Sequence, residues 1–355
     1  MTLAIHVPYS LYPIAMLQIE QNNLLIQKTL TERLFPQTDS LKSLDRIITD
    51  FDFTTYHIST LPDDKSKLLL SLNVKCWNDL VSYNVEEYLQ LKYSIYKNLT
   101  ILPSNQAETG YNYSVVLDTA SSAASDDEDT KLRLIDDLSL LKRNAMAAAF
   151  HKAFDRYDEL LAKHSNSNTY SEEIQQELAN EPVLVIKYRG VDETIYLKPS
   201  FDRVTVIFST MFQDETDKVF GKVFLQEFVD ARKRSVQTAP QVLYSQLEPP
   251  LDIARYVQGG KQDSENKGYV TFVLFPRHLV KGDKRENCIS HIEMFRSYFH
   301  YHIKCSKAFM HSRMRFRVKE FLKILNRAKP ENLDDEGKVI ENRKTASGRR
   351  FDIKA

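Results

Sequence analysis

Hydrophobic positions along this 355-residue chain change period several times, and each change marks the start of a new element. Leu17, Leu24, Leu25, Leu30 and Leu34 share one side of a helix over Leu17–Leu34. Three short runs of strand character follow, Arg46–Asp52, Tyr56–Ser59 and Lys67–Val74, with Pro62, Asp63 and Asp64 making a turn between the last two. Helical spacing returns over Cys76–Tyr96. Strand signals come next at Asn98–Leu102 and Tyr111–Leu117, and then a long helix over Thr130–Lys163.

Beyond a polar stretch, Ser165–Asn180, the same order begins again. Val183–Tyr188, Thr194–Leu197 and Arg203–Thr210 read as strands, Thr216–Arg234 as a helix, Gln241–Ser245 and Tyr269–Phe275 as strands, and Arg285–Lys329 as one long helix. No residue-level repeat accompanies this, so duplication is inferred from element order. Strands arrive in consecutive runs rather than one per helix, which favours antiparallel pairing. The expected fold is α+β: two similar domains, each a mostly antiparallel sheet with helices packed on it, plus a long basic C-terminal helix. The predicted boundaries are an N-terminal extension over 1–16, a first domain over 17–163, a polar linker over 164–182, a second domain over 183–329 and a tail over 330–355. Ser121–Asp129 and Gln258–Lys267 read as solvated loops.

Composition narrows the class. With 42% hydrophobic and 27% charged residues the chain resembles an ordinary globular protein. No stretch approaches the roughly 18 apolar residues of a membrane span, so no transmembrane segment is predicted. Met1–Met16 lacks the basic and continuous apolar regions of a secretory signal. Cys76, Cys288 and Cys305 are far apart and odd in number, which suits a reducing compartment. The chain is expected in the cytoplasm.

Catalytic patterns are missing from the sequence. The nine glycines form neither GxGxxG nor GxxxxGK, and there is no GxSxG or HExxH. Among His291, His300, His302 and His311 two pairs, His291 with His302 and His300 with His311, lie 11 positions apart, which is about 16 Å along a helix and too far to share a metal. Adjacent carboxylates (Asp63 with Asp64, Asp136 with Asp137, Asp334 with Asp335) sit too alike to divide acid and base roles. The acidic run Asp126–Asp129 lacks the spacing of a calcium loop. No enzyme activity, cofactor or metal is expected.

Charge does carry information. Between Tyr301 and Pro330 there are nine basic residues (Lys304, Lys307, Arg313, Arg315, Arg317, Lys319, Lys323, Arg327 and Lys329) against Glu320, a balance of +8 in a chain whose net charge is zero. Such segregation suits an acidic partner. On the same helix Cys288, Ile292, Phe295, Phe299 and Ile303 form an apolar stripe, resumed by Met310, Met314, Phe321 and Leu325. Nucleic acid, an acidic protein polymer and an anionic membrane surface all fit the sign. No nucleic-acid motif is visible.

Several strings resemble one family, subunit 2 of the actin-related protein 2/3 complex: DRVTVIFST (Asp202–Thr210), GKVFLQEF (Gly221–Phe228), TAPQVLYS (Thr238–Ser245), GYVTFVLFPRH (Gly268–His278) and YHIKCSK (Tyr301–Lys307). Shorter matches lie at Leu141–Asn144, Asp50–Asp52, Tyr56–Ser59 and Lys344–Thr345. The resemblance implies a non-catalytic scaffold subunit of a seven-subunit machine that nucleates actin branches. It implies pairing with subunit 4, association with both actin-related proteins, and residence in cortical actin structures. Filaments are acidic, so Arg313, Arg315, Arg317, Lys319, Lys323, Arg327 and Lys329 become the expected filament contacts. Ile292, Phe295, Phe299 and Ile303 are then expected to meet subunit 4 or the chain's own sheet. A phosphoinositide-binding surface on the same helix is the alternative.

Overall fold

The computed structural model describes residues 19–36, 42–121, 127–164, 171–190, 193–212, 214–257 and 266–327. Two five-stranded sheets dominate it, and both are antiparallel throughout. The first contains β1 (Asp45–Thr49), β2 (Thr55–Thr60), β3 (Lys67–Asn73), β4 (Leu99–Ile101) and β5 (Tyr113–Asp118), in the order β1-β2-β3-β5-β4. The second contains β6 (Leu184–Ile186), β7 (Ile195–Pro199), β8 (Val204–Met211), β9 (Gln241–Gln246) and β10 (Lys267–Leu274), in the order β6-β7-β8-β10-β9. The two orders are the same: three strands in sequence, then the fifth, then the fourth at the edge. This shared topology is the duplication that element order foreshadowed.

Helix boundaries depart from the periodicity in three places. Leu17–Leu34 shortens to α1 (Leu24–Leu34), because the Asn23 side chain accepts hydrogen bonds from the Leu25 and Ile26 amides and sets the start there; residues 17 and 18 lie outside the described residues. Cys76–Tyr96 divides into α2 (Trp77–Val81) and α3 (Val85–Tyr93). Asn84 between them has φ 64°, a left-handed conformation that asparagine tolerates and a helix does not. Thr130–Lys163 likewise becomes α4 (Glu128–Ser139) and α5 (Leu141–His164), separated at Leu140, whose φ of −95° and ψ of 13° leave the helical region. Asp127 caps α4 by accepting from the Thr130 amide. Within the polar stretch the chain forms α6 (Glu172–Asn180), with Ser171 as its cap. The remaining helices are α7 (Glu215–Arg234) and α8 (Asp283–Arg327).

The helix α5 is the shared wall of the two sheets. It packs against α2 and α3 of the first half and against β7 and β8 of the second. Its first half is buried almost all round, and Ala145, Ala147, Ala148, Ala149 and Ala153 supply small buried residues that let neighbours approach closely. Phe150 and Phe154 fill the wider gaps, both fully buried.

By compactness the chain forms two units, residues 1–301 with both sheets and residues 302–355 with the C-terminal half of α8.

Candidate docking surfaces on the long helix

α8 runs 45 residues without interruption, which at 1.5 Å per residue is about 67 Å. Its two halves have opposite surroundings.

The first half is anchored in the chain's own core. Phe295 lies 4.6 Å from the Phe272 ring and 5.3 Å from the Phe208 ring, centroid to centroid, so it sits on β10 and β8. Phe299 meets Phe212 at 6.3 Å and Phe224 of α7 at 6.0 Å. Ile292 is buried among the same elements, and further along the helix Ile303 is also buried. Of the two surroundings considered for this stripe, the geometry places Ile292, Phe295 and Phe299 in the chain's own second sheet.

Ion pairs fasten the same half to α5. Arg285, 4% exposed, donates to Asp155 at 3.0 Å and Asp158 at 2.9 Å, and also to the Leu279 carbonyl. Arg143 donates to the Ser290 hydroxyl at 2.8 Å and pairs with Glu286 at 2.9 Å. Glu286 also faces His151 at 3.0 Å, and the hydrogen bond to His151, together with the Arg143 charge, holds its carboxyl down at about 2 against the opposing effect of burial. Arg296 grips Glu193 with both nitrogens of its fork, at 2.8 and 3.2 Å. Lys142 donates to Asp52 at 2.9 Å. Burial opposes ionisation of Asp52, yet Lys142, Arg296 and Arg189 outweigh it and keep the carboxyl below its usual range. These partners are 90 to 147 positions apart in sequence, so periodicity could not pair them. The one available signal was a lone charge inside an apolar pattern, as at Lys142 and Arg143 between Leu141 and the alanine run.

The second half is bare. Lys304, Arg313, Arg315, Arg317, Lys319, Lys323 and Arg327 are all exposed; Lys329 lies outside the described residues. Apolar side chains are exposed beside them: Phe309, Met310, Met314, Phe316, Val318, Phe321, Leu322, Ile324 and Leu325 are between 44% and 63% accessible. Met314, Val318, Phe321 and Leu325 continue a stripe at three- and four-residue steps. Sequence reasoning picked out Met310, Met314, Phe321 and Leu325 and missed Val318, because the basic residues around it blur the pattern. Glu320 is paired with Lys323 at 2.8 Å on the surface, and Arg313 lies 5.6 Å from the Phe309 ring. Exposed apolar surface of this extent is uncommon on a folded chain.

Among the described residues no group of three or more His, Cys, Asp or Glu side chains could hold a metal. His291 and His311 are exposed, and the His291 ring meets the Asn287 carbonyl at 2.6 Å. No described helix is long and apolar enough to cross a membrane.

Two antiparallel sheets of the same topology and a long helix, partly embedded and partly exposed, define a protein of the α+β class. Comparison with known proteins gives the family. A family model described as "Arp2/3 complex, 34 kD subunit p34-Arc" matches residues 70–332. A protein of Schizosaccharomyces pombe (strain 972), "Actin-related protein 2/3 complex subunit 2", is 47% identical over 339 residues, covering 95% of this chain and 99% of that one. Its namesake from Dictyostelium discoideum is 34% identical over 325 residues, covering 92% of this chain and 97% of that one. The chain belongs to the p34-Arc family.

Proposed function

We propose that this chain is a non-catalytic scaffold subunit of an actin-related protein 2/3 complex, that it pairs with subunit 4, and that it meets the side of the mother actin filament through the basic half of α8. The observation that carries this reading is the division of α8. Its first half is fixed to α5 and the second sheet by Phe295, Phe299, Arg285 and Arg143, while its second half is exposed. That second half offers two surfaces at once. Met310, Met314, Val318, Phe321 and Leu325 suit a helix of a neighbouring subunit, since an apolar stripe of this spacing packs against another of its kind. Arg313, Arg315, Arg317, Lys319, Lys323, Arg327 and Lys329 suit an acidic filament.

The test is charge reversal in the reconstituted complex. Lys319→Glu, Lys323→Glu and Arg327→Glu together should leave assembly intact, weaken co-sedimentation with filaments and reduce branching. Wild-type binding should fall with added salt, since exposed charges are screened over about 8 Å at physiological ionic strength. Filament binding that is unchanged by both salt and charge reversal removes the electrostatic part of the reading. Flotation with phosphoinositide vesicles, run in parallel, tests the alternative use of the same face.

A further inference from the structure

A cleft of about 780 Å³ opens between the segment entering α1, the connection after β1, and the middle of α8. Leu24 and Leu25 stand at its rim, exposed by 58% and 59%, with the half-exposed Phe51 beside them. Below them lie Asp50, Lys142, Arg143 and Glu293.

Glu293 is the unusual member. Its side chain is 7% exposed and is ion-paired with Lys142. The nearest cation, the Lys142 ammonium, is 3.6 Å away, beyond hydrogen-bond length, and is already committed to Asp52 at 2.9 Å and the Phe51 carbonyl at 3.3 Å. Burial raises the Glu293 carboxyl above its usual range, and the nearby Asp52 and Asp50 charges add to the rise against the pull of Lys142. Arg143 cannot relieve it, since its guanidinium is taken up by Ser290, Asn144 and Glu286. A buried carboxylate with unused acceptor capacity is costly unless a donor reaches it.

We propose that this cleft receives an arginine or lysine side chain from another polypeptide, with the cation on Glu293 and the residues flanking it against Leu24, Leu25 and Phe51. Charge and shape both favour that occupant. Glu293 and Asp50 face the cleft, both basic side chains that line it, Lys142 and Arg143, are committed to other partners, and an added cation completes Glu293's hydrogen bonding. The apolar rim fits the flanking residues of a peptide, which a bare amine lacks. The 18 residues that precede Ile19 contain no lysine or arginine, so that segment of the chain cannot supply the cation.

The experiment uses the full chain and two tripeptides, acetyl-Leu-Arg-Leu-amide and its citrulline isostere, which keeps the shape of arginine without the charge. The arginine peptide should bind at least about tenfold more tightly, read by isothermal titration. Glu293→Gln should erase that difference; the amide keeps the size and shape of the carboxyl group, so the variant should fold. Leu24→Ser, at an exposed position, should weaken both peptides alike. Equal binding of the two peptides, discrimination that survives Glu293→Gln, or no binding of either peptide would overturn the proposal. Spermidine bound as tightly as the arginine peptide would overturn the assignment to a polypeptide.

Discussion

A Cβ placed on Gly221 would lie 2.7 Å from Cε1 of Phe212 and 3.1 Å from the Phe299 ring. Glycine in the middle of α7 is therefore what lets this helix close onto the aromatic cluster beneath α8. Alanine would gain about 1 kcal/mol in helix propensity, but overpacking of this kind costs about 1–3 kcal/mol, and the crowding comes from two rings that also support each other. Gly221→Ala should lower the melting temperature by a few degrees, and Gly221→Val by more, as measured by calorimetry.

Phe295 stands at the centre of that cluster, in contact with Phe208, Phe272 and Phe299. Phe295→Ala should cost about 3–5 kcal/mol. The loss should appear in urea unfolding of the chain. Phe316→Ala and Phe321→Ala, on the bare half of α8, should change stability by less than about 0.5 kcal/mol.

The pair Lys142 and Asp52 predicts a large effect from a single methylene-rich substitution. Lys142→Met removes the cation paired with Glu293 and one of those on Asp52, leaving both buried carboxylates short of a partner. Breaking a buried pair in this way costs about 3–5 kcal/mol. A double variant, Lys142→Met with Glu293→Gln, should recover part of the loss, which a double-mutant cycle would measure.

His57 is held between the Glu108 carboxylate at 2.6 Å and the Asp45 carboxylate at 2.8 Å. Burial disfavours its charge, but the hydrogen bonds it donates to both carboxylates outweigh that and raise its pKa above the ordinary histidine value. A group raised in the folded state stabilises fully below its unfolded pKa and loses that contribution as pH rises through the folded value. Glu286, held down at about 2, behaves oppositely: its contribution is present above the ordinary carboxyl range and is lost as pH falls toward 2. Urea midpoints across pH should show both limbs. His57→Gln should flatten the alkaline limb alone, and Glu286→Gln the acid limb alone.

Much of the fold was legible because its signals are local. Strand alternation and the antiparallel hairpin order require only neighbours in sequence, and both halves show them. Helix breaks at Asn84 and Leu140 were not legible, since each is a single residue leaving helical geometry inside a pattern that continues past it. The charge network was hidden for a different reason: Arg285 with Asp158, or Arg143 with Ser290, becomes a pair only after α5 and α8 are laid together.

By itself the sequence determined the elements, the antiparallel pairing within each half, and the excess of positive charge on the last helix, because periodicity and charge are properties of consecutive residues. Tertiary structure decided where the stripe of α8 stops being core. The same three- and four-residue spacing continues from Ile292 to Leu325, yet burial ends after Ile303. Periodicity names the face of a helix that must be covered. What covers it depends on the sheet lying under that turn, and beyond Ile303 the stripe is exposed.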